Sequence, residues 1–132
     1  MRIGQWHPDK WDKEFEDIAM QRLMECAEVV AQKARLKCPV GTVTRPARPG
    51  QPRWMERIPG QLKRSIRVVR KKTKKGQGKP FKRSRTVRIK AGHFLAFYAT
   101  FVEHGCPTIK KPFLRPALYS SIPEIRSIMG VR

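Results

Sequence analysis

Acid is scarce in this sequence. Ten Asp and Glu stand against thirty Lys and Arg in 132 residues, a formal net charge of +20, and between Glu56 and Glu103 there is no acidic residue at all. A domain with such a field repels itself unless something negative lies beside it, so nucleic acid, an anionic membrane or acidic protein is expected as a neighbour. Cysteine is scarce: Cys26, Cys38 and Cys106 are an odd number, which excludes a disulfide scaffold. They also lack the short Cys-x2–4-Cys knuckle of a structural zinc site, so no metal is expected. No apolar run approaches the roughly 20 residues that span a bilayer. The N-terminus MRIGQWHPDKWDKEFED is polar and acidic, unlike a secretory signal or a transit peptide, and the expectation is a chain made in a reducing cytosol. At 39 % the hydrophobic residues are still too many for a disordered chain. One domain over residues 1–132 is expected.

The charge is divided. Residues 1–28 hold seven acids and four bases, a net −3, which leaves +23 for the remainder. Eleven bases fall between Arg70 and Lys90. That run has one aromatic, Phe81, and no amphipathic helical spacing, which argues against a membrane surface and against a stacking platform for bases. Any nucleic-acid contact would be to phosphates and independent of sequence. The bland alternative is a solvated loop that keeps the chain soluble.

Periodicity divides the chain into four segments. In residues 1–39, Trp11 to Lys37 reads as one long helix, with Phe15, Ala19, Leu23, Cys26, Ala27, Val30 and Ala34 at three- and four-residue steps. Asp9 or Asp12 would cap it, and Pro39 and Gly41 end it. Residues 40–60 form a Pro-rich arm with Pro46, Pro49, Pro52 and Pro59, and Arg53, Trp54 and Met55 are its candidate contact to a neighbouring subunit. Residues 61–91 read as a hairpin. Lys63 to Arg70 and Thr86 to Lys90 both alternate, and the loop between them is long and basic. Residues 92–132 hold a short helix over Phe97 to His104, ended by Gly105, and a C-terminal helix. That last helix carries Leu118, Ile122, Ile125 and Met129 as its apolar stripe and bends or breaks at Pro123. The fold expected is α+β: a long N-terminal helix and C-terminal helices packed on a small antiparallel sheet with a long basic hairpin loop.

Chemistry finds little support. His104 has an acid beside it, Glu103, but neighbours on a helix point about 100° apart and do not form a relay. Gly-x-Ser-x-Gly, His-Glu-x-x-His, a phosphate-binding glycine loop and paired acids are all absent. No catalytic, cofactor or metal residue is therefore expected. Glu103, as a lone acid among bases, would pair with an arginine or cap backbone donors, and Arg115 is its nearest candidate. A small basic ribonuclease toxin using Glu103, His104 and Arg115 stays open as an alternative. So does a cytosolic, sequence-nonspecific nucleic-acid-binding protein.

Three pieces stand in a telling order: PGQLKRSI (Pro59 to Ile66), YATFVEHG (Tyr98 to Gly105) and KPFLRPAL (Lys111 to Leu118). Together with the long helix before them, they resemble the tail-completion or neck proteins of tailed phages. The matching residues are Leu62, Ser65 and Ile66 at the strand entry, Tyr98, Val102, Glu103 and Gly105 at the turn, and Pro112, Phe113, Leu114, Arg115 and Pro116 at the helix start. Cys106 stands where that family usually has Thr, and the Pro-rich segment with Trp54 replaces a shorter approach to the strand. The resemblance implies a non-enzymatic virion protein at the head–tail junction, assembled in the host bacterial cytoplasm. It implies a homo-oligomeric ring touching adjacent neck, tail-terminator or connector proteins, and no membrane. The candidate contacts to genome DNA or an acidic partner are Arg70, Lys71, Lys72, Lys74, Lys75, Lys79, Lys82, Arg83 and Arg85.

Overall fold

The computed structural model describes residues 8–42, 44–46, 48–52, 56, 58–71, 86–105 and 111–131, with side chains from residue 14 onward. Helix α1 spans Pro8–Lys37, α2 spans Gln61–Ser65, strand β1 spans Arg67–Arg70 and β2 spans Val87–Lys90. A 3-10 turn at Phe94–Ala96 follows, then α3 at Ala99–His104 and α4 at Leu114–Met129. The α+β class is as expected.

Helices α1 and α4 make the largest contact, and side chains fix their direction. Lys33 Nζ meets the Ser120 carbonyl at 2.8 Å and Glu124 at 2.6 Å, while Lys37 Nζ meets the Pro116 carbonyl at 3.0 Å. Residues later in α1 therefore meet residues earlier in α4, and the two run antiparallel. Their buried positions include the small residues Ala31, Ala34, Ala117 and Ser121, each with no exposed surface. Small side chains at a crossing let two helices approach closely, and dense packing follows.

This contact corrects the expected stripes. Phe15, placed on the core stripe of α1, is 67 % exposed, whereas Met20, Cys26, Val30, Ala31, Ala34 and Cys38 are buried. Leu118, Ile122 and Met129 of α4 are exposed as well. The buried row of α4 is Ala117 and Ser121, flanked by half-buried Leu114 and Ile125, so Ile125 packs on the core as expected while Ala117 and Ser121 take the places expected of Leu118 and Ile122. Helix α1 begins at Pro8, three residues before Trp11, which puts Asp9 and Asp12 inside the helix. Proline suits a first turn, where its missing N–H has no intrahelical partner to lose. Helix α4 also runs unbroken through Pro123, which lies on the exposed side. There the Tyr119 carbonyl, which loses its helical donor to the proline, can turn to solvent.

The hairpin pairs antiparallel in the register Arg67 with Lys90, Val68 with Ile89, Val69 with Arg88 and Arg70 with Val87. A two-stranded sheet is marginal alone. Here Val68 and Ile89 pack on the core of Val30, Ala34, Leu62, Ile66, Ala96, Val102 and Phe113. Strand β1 starts at Arg67, not Lys63, because residues 61–65 make one helical turn. Leu62 and Ser65 are thus helical residues rather than strand residues, and Ile66 is the buried joint between helix and strand. Arg35 Nη2 holds the Ile66 carbonyl at 3.0 Å and so ties that joint to α1.

Ser65 and Gly92 lock the other side of the hairpin. Ser65 Oγ donates to the Leu62 carbonyl at 2.6 Å and accepts from the Gly92 N–H at 2.8 Å. Gly92 has φ +96°, and a Cβ there would lie 2.9 Å from the Ala96 carbonyl oxygen and 3.0 Å from the Ala99 Cβ. Both the backbone angle and the space demand glycine. Gly92→Ala should cost about 2 kcal/mol in urea denaturation. Gly41→Ala, with nothing within 4 Å of its added methyl, should cost almost nothing.

Candidate assembly interface

The start of α4 exposes the backbone chemistry most plainly. The first N–H groups of a helix have no partner within it. Pro112 and Pro116 carry no N–H, and the Ala117 N–H already bonds the Phe113 carbonyl at 3.2 Å. Three donors remain, those of Phe113, Leu114 and Arg115. Glu103, buried at the end of α3, takes all three: Oε2 accepts from Phe113 at 2.8 Å and Leu114 at 2.9 Å, and Oε1 accepts from Arg115 at 2.9 Å. Phe113, fully buried, and half-buried Leu114 then seat the helix on the core.

Burial alone would push the Glu103 carboxyl up. The backbone donors of Leu114, Phe113 and Arg115, helped by the Arg115 charge, outweigh it and hold the carboxyl below its ordinary value of 4.5. The Arg115 guanidinium does not make the expected side-chain bridge to Glu103. Its Nη2 lies instead 3.5 Å from His104 Nδ1, at the outer limit of a hydrogen bond. Tyr98 precedes α3, half-buried against the core, and its carbonyl accepts the N–H of buried Val102. Gly105 donates to the Phe101 carbonyl and closes α3 at φ 90° and ψ 131°, a positive φ that favours glycine although it lies outside the left-handed helical well.

The hairpin presents a basic outer face. Alternation puts Val68 and Ile89 inward, which turns Arg67, Val69, Arg88 and Lys90 outward. Arg67 and Lys90 are direct cross-strand partners of like charge, an arrangement that destabilises a sheet. Exposed Arg70 falls by the same alternation on the Val68 face, at the far end of the hairpin, and exposed Lys71 follows it with its N–H bonded to the Thr86 carbonyl. Lys72, Lys74, Lys75, Lys79, Lys82, Arg83 and Arg85 lie outside the described residues, as do Arg53, Trp54, Met55 and Cys106.

Among the described residues no three His, Cys, Asp or Glu side chains gather as metal ligands, and no helix is long and apolar enough to cross a membrane. Burial pushes the Cys38 thiol up to about 11, against the opposing charge of Lys63, and burial with the Glu25 charge raises Cys26. Neither is a thiolate at neutral pH.

A family model described as "Bacteriophage HK97-gp10, putative tail-component" matches residues 9–105. The chain belongs to this family. It is a structural component of a phage tail, and its place is the virion. The match takes in α1, α2, the hairpin and α3 up to Gly105, and so contains the pieces around Leu62 and Tyr98, while the piece at Lys111 to Leu118 follows it. No curated protein and no solved structure matches the chain.

One surface feature of this tail component was not legible in its residues. Phe94, Phe97 and Phe101 are all more than half exposed. The 3-10 turn at Phe94–Ala96 and the six-residue α3 are together too short to bury aromatics on several sides, so the density of FLAFYATF was the available signal.

Two substitutions test this arrangement. Replacing Glu103 by Gln should cost about 2 kcal/mol in chemical denaturation at pH 7, because a charged acceptor is lost from three donors. Folding lowers the proton affinity of Glu103. Its contribution is therefore complete above pH 4.5 and fades as pH falls further, through the lowered folded-state value. The gap between wild type and variant should narrow over that range. Lys90→Glu should stabilise the chain by about 0.5 kcal/mol in the same measurement by replacing a like-charge pair with an attractive one.

Proposed function

We propose that this tail component completes the tail at the head–tail junction, as one subunit of a homo-oligomeric ring that meets adjacent neck, tail-terminator or connector proteins. Its role is binding and shape, with no turnover. The observation that carries the reading is the basic outer face of the hairpin, in a chain whose family is one of tail components. Like charges set opposite each other across two strands cost stability in the isolated subunit, and that cost is recovered when an anion lies against them.

In this reading Arg70, Lys71 and the basic run to Arg85 face genome DNA in the channel, or acidic surfaces on neighbouring proteins. Contacts to DNA would go to phosphates and carry no sequence preference. The arm at residues 40–60, with Arg53, Trp54 and Met55, reaches a neighbouring subunit. A ring is the closed outcome of identical head-to-tail contacts.

Deleting Lys71 to Arg83 tests the proposal. The shortened chain should keep its circular dichroism and still enter particles, yet electron micrographs should show filled heads without tails, and titre should collapse. Normal titre from phage carrying only the deleted chain would refute the role given to the basic run.

A further inference from the structure

The acids of this chain are not all used alike. Glu103 is spent inside the fold as a cap, Glu28 pairs with Arg35 at 2.9 Å and Glu124 pairs with Lys33. Glu14, Asp17 and Glu25 instead stand on the exposed side of α1, beside exposed Phe15 and Ile18. This is the half of α1 that α4 does not reach. From Lys33, which meets Glu124, back to Glu14 is about 28 Å of helix, whereas α4 continues only about 8 Å past Glu124. Glu14 thus lies about 20 Å beyond the end of the antiparallel partner of α1. Glu14, Ile18, Gln21 and Glu25 follow steps of four, three and four, so they share one face.

Helix α4 carries a matching face of opposite sign. Arg115, Tyr119, Ile122 and Arg126 follow the same steps, all exposed, on the side away from the buried Ala117 and Ser121. The α1 face has a carboxylate at either end with Ile18 and Gln21 between, the Gln21 amide donating to Glu25 at 3.3 Å, and the α4 face has an arginine at either end with Tyr119 and Ile122 between. The charges are eleven residues apart in both, about 17 Å along the helix. Because α4 turns its buried row toward the α1 of its own chain, that α1 cannot also cover the Arg115 face. A second copy can.

We infer that the acidic, apolar N-terminal half of α1 in one copy docks on the Arg115–Arg126 face of α4 in the next copy. The contact joins two different surfaces, so it is head-to-tail and repeats around a ring. It deepens the ring proposed above and rests on that reading for its biological meaning. It also accounts for the uneven charge: in a chain of net charge +20, the one acidic stretch is what lets a copy approach its neighbour without repulsion.

Charge reversal on the full-length chain tests it, read by sedimentation velocity at about 0.15 M salt, where surface charges are screened beyond about 8 Å. The wild type should self-associate. Glu14→Arg with Glu25→Arg, or Arg115→Glu with Arg126→Glu, should weaken association about tenfold or more. An equimolar mixture of the two variants should regain it, since each then offers what the other lacks. The single reversal Arg126→Glu, remote from the Glu103 cap, keeps the test clear of the α4 start. Rescue of it by Glu14→Arg or by Glu25→Arg gives the direction of docking. Circular dichroism checks each fold. A wild type that stays monomeric, single-sided variants that associate as well as wild type, or a mixture that stays apart would each overturn the inference. Mass spectrometry and microscopy of purified particles separate this from the neck reading. Wild-type chain found at the neck, with association indifferent to the reversals, sinks the interface alone. Wild-type chain missing from particles sinks the neck reading, and the reversal series still decides the interface.

Discussion

One buried carboxylate sets the geometry of the second half of this molecule. Glu103 stands in the last turn of α3, and α4 begins on its two oxygens. The two prolines around Phe113 remove the donors that Glu103 could not serve, and the first intrahelical bond removes the next. What is left matches one carboxylate. Because Phe113 sits between the donors and the core, the cap fixes both the position of α4 and the plug beneath it. Removing the charge would leave three N–H groups half-satisfied in a buried place, where such groups are expensive.

From that fixed start α4 lies back along α1, and the small residues at their crossing do the rest. The same packing decides what stays outside. Turning Ala117 and Ser121 inward turns Leu118, Tyr119 and Ile122 outward, and a helix of 30 residues against one of 16 leaves the Glu14, Ile18 and Glu25 side of α1 exposed. The hairpin, held by the Arg35 and Ser65 contacts, shows its cations to solvent. A tail component that contacts other tail proteins needs such surfaces. The free subunit carries exposed aromatics and unopposed charge that an assembly can cover.

The larger outlines were legible in the residues for a physical reason: long repeats average out error. Helix α1 was recognisable over seven apolar positions, and β2 over a clean alternation that the structure repeats in its burial. Short or size-dependent features were not. Four alternating residues fit a single helical turn as well as a strand, so Lys63 to Ile66 was read as strand although Ser65 bonds its hydroxyl back to Leu62. The α4 stripe was assigned to its large apolar residues, but a close helix crossing selects the small ones. Glu103 was legible as a lone acid near candidate donors, though pairing and capping looked alike until the donors were placed. The matching faces on α1 and α4 needed the register of the two helices, which no local pattern contains.

The carboxylate clamp is open to direct observation by nuclear magnetic resonance. With carbon-13 on the glutamate side chains and nitrogen-15 on the backbone, a pH titration follows the Glu103 carboxyl and the amide signals of Phe113, Leu114 and Arg115 together. The carboxyl should titrate below 4.5, and the three amide protons should move along the same curve as the proton arrives. A Glu103 that titrates at or above its ordinary value, with those three amides unmoved, would show that the helix starts on something else.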